Sequence, residues 1–86
     1  MLDLDVRIYD LSAGGCFVES IVEAKLGESV RLRIDLAGEG QVEAVGIVVP
    51  STRSLGYAVQ FVEVEAAAQA RIERTVGRLA FSRQRP

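Results

Sequence analysis

The chain has 86 residues, 49% hydrophobic and 26% charged, with 12 acidic against 10 basic side chains, one cysteine and no histidine. This composition predicts one small globular domain, and the slight negative charge excludes a general attraction to nucleic acid or acidic lipid. Without histidine the usual general base and zinc ligand are missing, and one cysteine cannot form an internal disulfide. We therefore expect a cytoplasmic, non-catalytic protein with no metal and no cofactor.

Alternation of apolar and polar residues predicts strands over the first two-thirds of the chain. The first strand covers about residues 2–9 and leads into a tight turn at 12–15, which needs the small, flexible Gly14 and Gly15. A short strand over 16–19 follows, and further strands are predicted over 30–36, 42–49 and 57–61. The glycine-containing segment 37–40 predicts a four-residue hairpin loop, and the polar segment 51–54, which includes Arg53, predicts another loop. Gly56 indicates a bend or a close backbone approach. Five strands result.

After Val64 the composition changes to alanine, glutamate and arginine, and Ile72, Val76 and Leu79 recur at helical spacing. This pattern predicts one amphipathic helix over about 65–81, followed by a tail at 82–86. The strand connections are too short for parallel crossovers. The fold class is therefore all-β with one C-terminal helix: a small antiparallel barrel over about 2–64, with the helix closing one opening.

One turn differs from ordinary strand sequence. It reads Asp10-Leu11-Ser12-Ala13-Gly14-Gly15 and resembles the [D/N]-x-S-x-x-G signature of the PilZ domain family, with Asp10, Ser12 and Gly15 at the fixed positions. The later segments Gly27-Glu28-Ser29-Val30-Arg31-Leu32, Gly46-Ile47-Val48-Val49 and Gly56-Tyr57-Ala58-Val59-Gln60-Phe61 are similar to later strands of that family. The resemblance covers about residues 6–79 and makes this a PilZ-like domain over 1–86.

The resemblance implies a six-stranded antiparallel β-barrel that receives the bacterial second messenger cyclic di-GMP, so the family's first strand is missing from the five predicted here. It also implies ligand contacts by Asp10, Ser12 and Gly15: a carboxylate for guanine N–H groups, an adaptable hydroxyl, and room for a flat base. In the family an R-x-x-x-R motif upstream contacts the ligand from the other side. No such motif precedes Asp10, where Arg7 is the only arginine.

Each candidate residue also has a purely structural interpretation. Asp10 and Ser12 are residue types that bond the local backbone in turns, and Cys16 is typical of a small buried apolar side chain. Arginine side chains form two predicted solvated faces: Arg31 and Arg33 beside Asp35 on one strand, and Arg71, Arg74 and Arg78 on the helix.

The leading functional hypothesis is a regulatory module of bacterial cyclic di-GMP signalling, in which ligand binding alters contact with a protein partner. The alternative is a degenerate PilZ barrel without nucleotide, which serves as a protein-interaction or oligomerisation module. It would pair through an open barrel edge or through the apolar stripe of the C-terminal helix. Nucleic-acid binding on an OB-like barrel is poorly supported, because aromatic side chains are few and the net charge is negative.

Overall fold

The computed structural model describes residues 2–6, 11–21, 23–36 and 38–84, which form one sheet and one helix. The elements, in chain order, are β1 (Leu2–Val6), β2 (Leu11–Ser12), β3 (Gly15–Glu19), β4 (Ser29–Leu36), β5 (Gly40–Val49), β6 (Gly56–Glu63) and α1 (Ala66–Gln84). The prediction of five strands is wrong by one. The strand predicted over about 2–9 is observed as β1, which is described as far as Val6. Residues 7–10 lie outside the described part. The additional strand is the two-residue β2, which was not predicted.

The strands form a single sheet in the order β1-β4-β5-β6-β3-β2. Four of the five neighbouring pairs are antiparallel, as predicted, but β1 and β4 are parallel. The prediction excluded parallel pairs because each connection between consecutive strands is short. Here β1 pairs with β4 instead of the next strand, and the β2–β3 segment between them supplies the long connection that parallel neighbours need.

The two outermost strands of this sheet, β1 and β2, are consecutive in the chain. From Val6 to Leu11 the chain advances five residues, which reach at most about 18 Å when fully extended. The edges of a flat six-stranded sheet would lie about 24 Å apart at the usual strand spacing. The sheet is therefore curled into a half-barrel, which agrees with the predicted PilZ-like barrel.

The core fills the inner side of the curled sheet. β4 alternates strictly along its length, with its even-numbered apolar residues buried and its odd-numbered polar residues exposed. The helix adds Ala68 and Ile72 to this core, and Val76 packs against it. Thr75 is also buried, and its hydroxyl donates to the Arg71 carbonyl at 2.9 Å, so no polar group is buried without a partner there.

The helix begins and ends close to its predicted bounds, at 66–84 against 65–81. Ile72 is fully buried in this chain's own core, so that part of the predicted stripe is not available to a second chain. The side chain of Leu79 lies outside the described part. Among the described residues, no helix combines the length and the apolar character that crossing a bilayer requires.

Charged side chains connect β1 to β4 on the outer side of the sheet. Arg33 donates to Asp5 at 3.1 Å, and Arg31 lies 3.9 Å from Asp3. The Asp5 carboxylate raises the pKa of Arg33 through this hydrogen bond and its charge. The sequence predicted that Asp35 of β4 balances the charge of these arginines. In the structure Asp3 and Asp5 of β1 do so instead.

A second group of charges joins α1 to the β4–β5 hairpin. Leu36 pairs with Gly40, so the loop holds three residues and not the predicted four. The Glu39 carboxylate lies 3.0 Å from Arg74 and 3.6 Å from Arg78, while its backbone carbonyl accepts from the Arg71 guanidinium. Arg74, chiefly through its hydrogen bond, lowers the pKa of Glu39. The helix face that carries Arg71, Arg74 and Arg78 was predicted to be solvated only. In the structure it contacts Glu39 and so holds α1 against the β4–β5 hairpin.

Candidate ligand-binding site

The turn between β2 and β3 is held from both sides. Its two central residues are Ala13 and Gly14, since Ser12 pairs with Gly15 across the hairpin. The Gly14 carbonyl accepts from the Phe61 amide of β6 at 2.8 Å, and the Ala13 carbonyl accepts from the side-chain amide of Gln69 on α1 at 3.1 Å. Because both carbonyls are bonded to other elements, the turn has a fixed position relative to the sheet and the helix.

The Ser12 hydroxyl is on the exposed side of this turn and donates to the Gly15 carbonyl at 3.1 Å. The structural interpretation of Ser12, a side chain that bonds its local backbone, is therefore observed. A serine hydroxyl has one hydrogen and two lone pairs, so the Oγ atom can still accept from a ligand N–H. Asp10, the first residue of the motif, lies outside the described residues.

Gly15 is required by the approach of two strands. A Cβ atom at this position would lie 2.1 Å from the Val59 carbonyl oxygen of β6, much closer than any real contact. At Gly14 a Cβ atom would meet nothing within 4 Å. Neither glycine has a positive φ, so the predicted need for glycine flexibility in the turn is wrong for both. Gly15 is needed because β3 and β6 lie so close together.

An open concavity of about 420 Å³ lies beside the turn on the outer side of the sheet. Cys16 and Val18 point into the core, so the intervening Phe17 points outward. Phe17 pairs with Ala58, and Ala58 pairs with Val49, which gives an apolar row across three strands. This apolar row is the floor of the concavity. Its border is formed by the polar side chains of Ser12 and Gln60 and by the backbone of Gly14 and Gly15. Apart from Cys16, none of the described residues that line it can carry a charge.

Phe17 is nearly fully buried although it is on the outer side, because the β5–β6 loop covers it. The guanidinium carbon of Arg53 lies 3.8 Å from the centroid of the ring. Gly56 leaves the space that the ring needs, since a Cβ atom there would lie 2.7 Å from the ring carbon Cε2. The sequence placed Arg53 only in a polar loop. No local pattern relates residue 53 to residue 17, so their contact was not predictable.

A different concavity, of about 340 Å³, lies between the beginning of α1 and the strands β4 and β5. It is lined by acidic Glu43, Glu63 and Glu65 and by basic Arg31 and Arg71. With more carboxylates than guanidinium groups, this surface does not favour an anion. No cluster of histidine, cysteine or carboxylate side chains suited to a metal ion occurs within the described ranges.

The family of the protein is decided by a match over most of the chain: the family model for the PilZ domain covers residues 3–78. The chain belongs to the PilZ domain family. No curated protein matches the sequence. PilZ domains are regulatory modules related to cyclic di-GMP signalling, which confirms the predicted class of function at that level. The turn at Ser12–Gly15 and the concavity beside it are therefore the candidate ligand-binding site of this PilZ domain.

Proposed function

We propose that this PilZ domain is a cytoplasmic regulatory module that binds cyclic di-GMP on the outer side of β3, β6 and β5. The observation that supports this best is the fixed β2–β3 turn, which borders an apolar floor formed by Phe17, Ala58 and Val49. A purine has two flat apolar faces and a polar edge. An apolar floor with hydrogen-bonding groups along one border suits such a ligand, which would lie on Ala58 and Val49 beside the covered Phe17 ring.

In this proposal Asp10, Ser12 and Gly15 contact the ligand. Ser12 Oγ accepts a guanine N–H while its own hydrogen stays on the Gly15 carbonyl, so binding breaks no existing bond. Asp10 accepts further guanine N–H groups, as the family resemblance implies. Gly15 contributes by having no side chain, since any Cβ would force β3 away from β6 and distort the floor.

The proposed regulation depends on the hydrogen bond that holds the β2–β3 turn against α1. Gln69 bonds the Ala13 carbonyl and, at 2.7 Å, the carboxylate of Glu73, so the turn is connected to the exposed side of α1. A ligand that contacts the turn and shifts its position changes the lengths of these two hydrogen bonds. We propose that occupancy of the site changes the surface that α1 offers to a protein partner.

Isothermal titration with cyclic di-GMP tests the proposal. We expect saturable heat with the wild-type chain and weaker binding by Ser12→Ala, by about two- to twelvefold for the loss of one hydrogen bond. Ser29→Ala, which removes the same hydroxyl from the exposed start of β4, is the matched control and should bind as the wild type does. Absence of heat at high micromolar ligand would refute nucleotide binding by this chain.

The alternative, an interaction module without nucleotide, is supported by the sheet edges. In the described part of the chain β1 pairs only with β4 and β2 pairs only with β3, so each strand has one edge without a neighbour. Such edges can add a strand from another chain. Sedimentation equilibrium over a wide concentration range should then show reversible association, and a strictly monomeric chain that also binds cyclic di-GMP would exclude the alternative.

A further inference from the structure

The proposed ligand has two phosphodiester anions, but the described residues of the floor and border of its concavity include no cation. Glycine, alanine, valine, phenylalanine, serine and glutamine supply the described lining apart from Cys16. Phosphate binding in proteins usually needs arginine, lysine or a row of backbone amides. A cation has to reach this surface from a neighbouring element.

Arg53 is the guanidinium placed for this. Phe17 forms part of the floor beside Ser12 and Gly15, and it also lines an adjoining open depression of about 580 Å³ together with Arg53 and Leu55. The guanidinium lies 3.8 Å above the Phe17 ring centroid. Arg53 and the concavity at the turn therefore contact the same aromatic side chain.

The remaining arginines with described side chains have their contacts on elements away from the concavity. Arg31 and Arg33 contact the aspartates of β1, and Arg74 and Arg78 contact the Glu39 carboxylate. Arg71 donates to the Glu39 carbonyl. These contacts lie on the β1–β4 side of the sheet or at the β4–β5 hairpin, whereas Arg53 contacts a residue that lines the concavity itself.

The β5–β6 loop holds Arg53 in a defined conformation. The Arg53 amide donates to the Ser51 hydroxyl at 3.1 Å, and the Leu55 carbonyl accepts from the Ser20 amide at 3.2 Å. Leu55 has a φ of 60°, a left-handed conformation that non-glycine residues seldom adopt. Backbone strain of this kind is retained mainly where a loop has a functional geometry to keep.

We propose that Arg53 contacts a phosphodiester group of the ligand bound at the Ser12–Gly15 turn, an inference that rests on the proposed function. Stacking on Phe17 uses the flat face of the guanidinium, and its N–H donors lie in the plane of that group. In this proposal two N–H groups of the Arg53 guanidinium donate to a pair of phosphate oxygens while the contact with the Phe17 ring is kept. A lysine keeps the charge there but cannot reproduce this stacked, two-donor geometry.

Titration of Arg53 variants with cyclic di-GMP tests this role. We expect Arg53→Gln to weaken binding by about ten- to hundredfold and to reduce its salt dependence, because one charge-assisted contact is lost. Arg53→Lys should recover part of the affinity. Arg33→Gln removes the same charge from the opposite part of the sheet and should stay within about twofold of the wild type.

A second measurement needs no variant. In ¹H–¹⁵N spectra of the wild-type chain, cyclic di-GMP should shift the Arg53 Nε–H signal and leave that of Arg33 unchanged. Wild-type binding with no shift at Arg53, or with full affinity in a folded Arg53→Gln protein, overturns the role of Arg53 and leaves the proposed function standing. No binding by the wild type overturns both.

Discussion

At the scale of single residues, the glycines of the β2–β3 turn show how a motif position and its structural cause can differ. Gly14 and Gly15 are adjacent, and the sequence predicted that the turn needs the backbone flexibility of both. In the structure only Gly15 is constrained, and the constraint comes from Val59 across the strand pair. A distant backbone atom decides this, so the sequence around the turn could not show which glycine matters.

Gly15→Ala and Gly14→Ala should therefore differ sharply. A Cβ at residue 15 forces β3 and β6 apart, and we expect the free energy of unfolding to fall by about 1–3 kcal/mol, as in other overpacked sites. A Cβ at residue 14 meets open space at an allowed φ and should change stability by no more than about 0.5 kcal/mol. Urea unfolding of both variants measures this, and equal losses would contradict the explanation.

Other single residues were predictable in part. The prediction that Cys16 is a small buried side chain is confirmed, because alternation along an apolar strand fixes which face a residue takes. The same alternation places Phe17 on the outer side, and Gly56 was expected to mark a close backbone approach, which it does. What covers Phe17 depends on the path of the β5–β6 loop, and loop paths leave no periodic signal.

At the scale of elements, the position of α1 depends on both its apolar and its charged side. Spacing predicted the helix and the burial of Ile72 correctly. It did not predict Glu39 as a partner of the helix, because a glutamate in a hairpin loop is typical of any solvated turn. The arginines at helical spacing hold α1 to the sheet only because the folded β4–β5 hairpin places the Glu39 carboxylate beside them.

This attachment should make stability depend on pH in the acid range. The pKa of Glu39 is lowered in the folded state, so its ion pairs stabilise the protein above the unfolded-state pKa of about 4.5 and are lost as pH falls through the folded value. Glu39→Gln should have a lower melting temperature at neutral pH and a smaller further loss on acidification. Thermal melts from about pH 7 to pH 3 measure both.

The control for this experiment is Glu63→Gln, which removes one carboxylate from the exposed end of β6. It should keep the acid-range loss of the wild type. If Glu39→Gln and the wild type lost melting temperature in parallel on acidification, the ion pairs of Glu39 would have no role in attaching the helix.

At the scale of the whole molecule, sequence pattern predicted the fold class and most strand bounds, but not the arrangement of strands in the sheet. Strand bounds depend on local alternation, which the sequence shows directly. The parallel pairing of β1 with β4 depends on closure of the sheet, since β1 completes an edge that the β4–β5–β6 meander leaves open. The small residues at 12–15 predicted the β2–β3 turn correctly, whereas the adjoining apolar floor depends on three strands that lie side by side only in the folded sheet.

The order of strands in the sheet also bears on how the chain folds. β4, β5 and β6 pair with their neighbours in sequence, so these hairpins form with little loss of chain entropy. β1 pairs with β4 and β3 pairs with β6 only across long intervening segments. Non-local pairings of this kind slow folding. We therefore expect the β4–β6 meander to form first and the strand that brings Gly15 to Val59 to join it later, so that the candidate ligand surface is among the last parts of the molecule to become ordered.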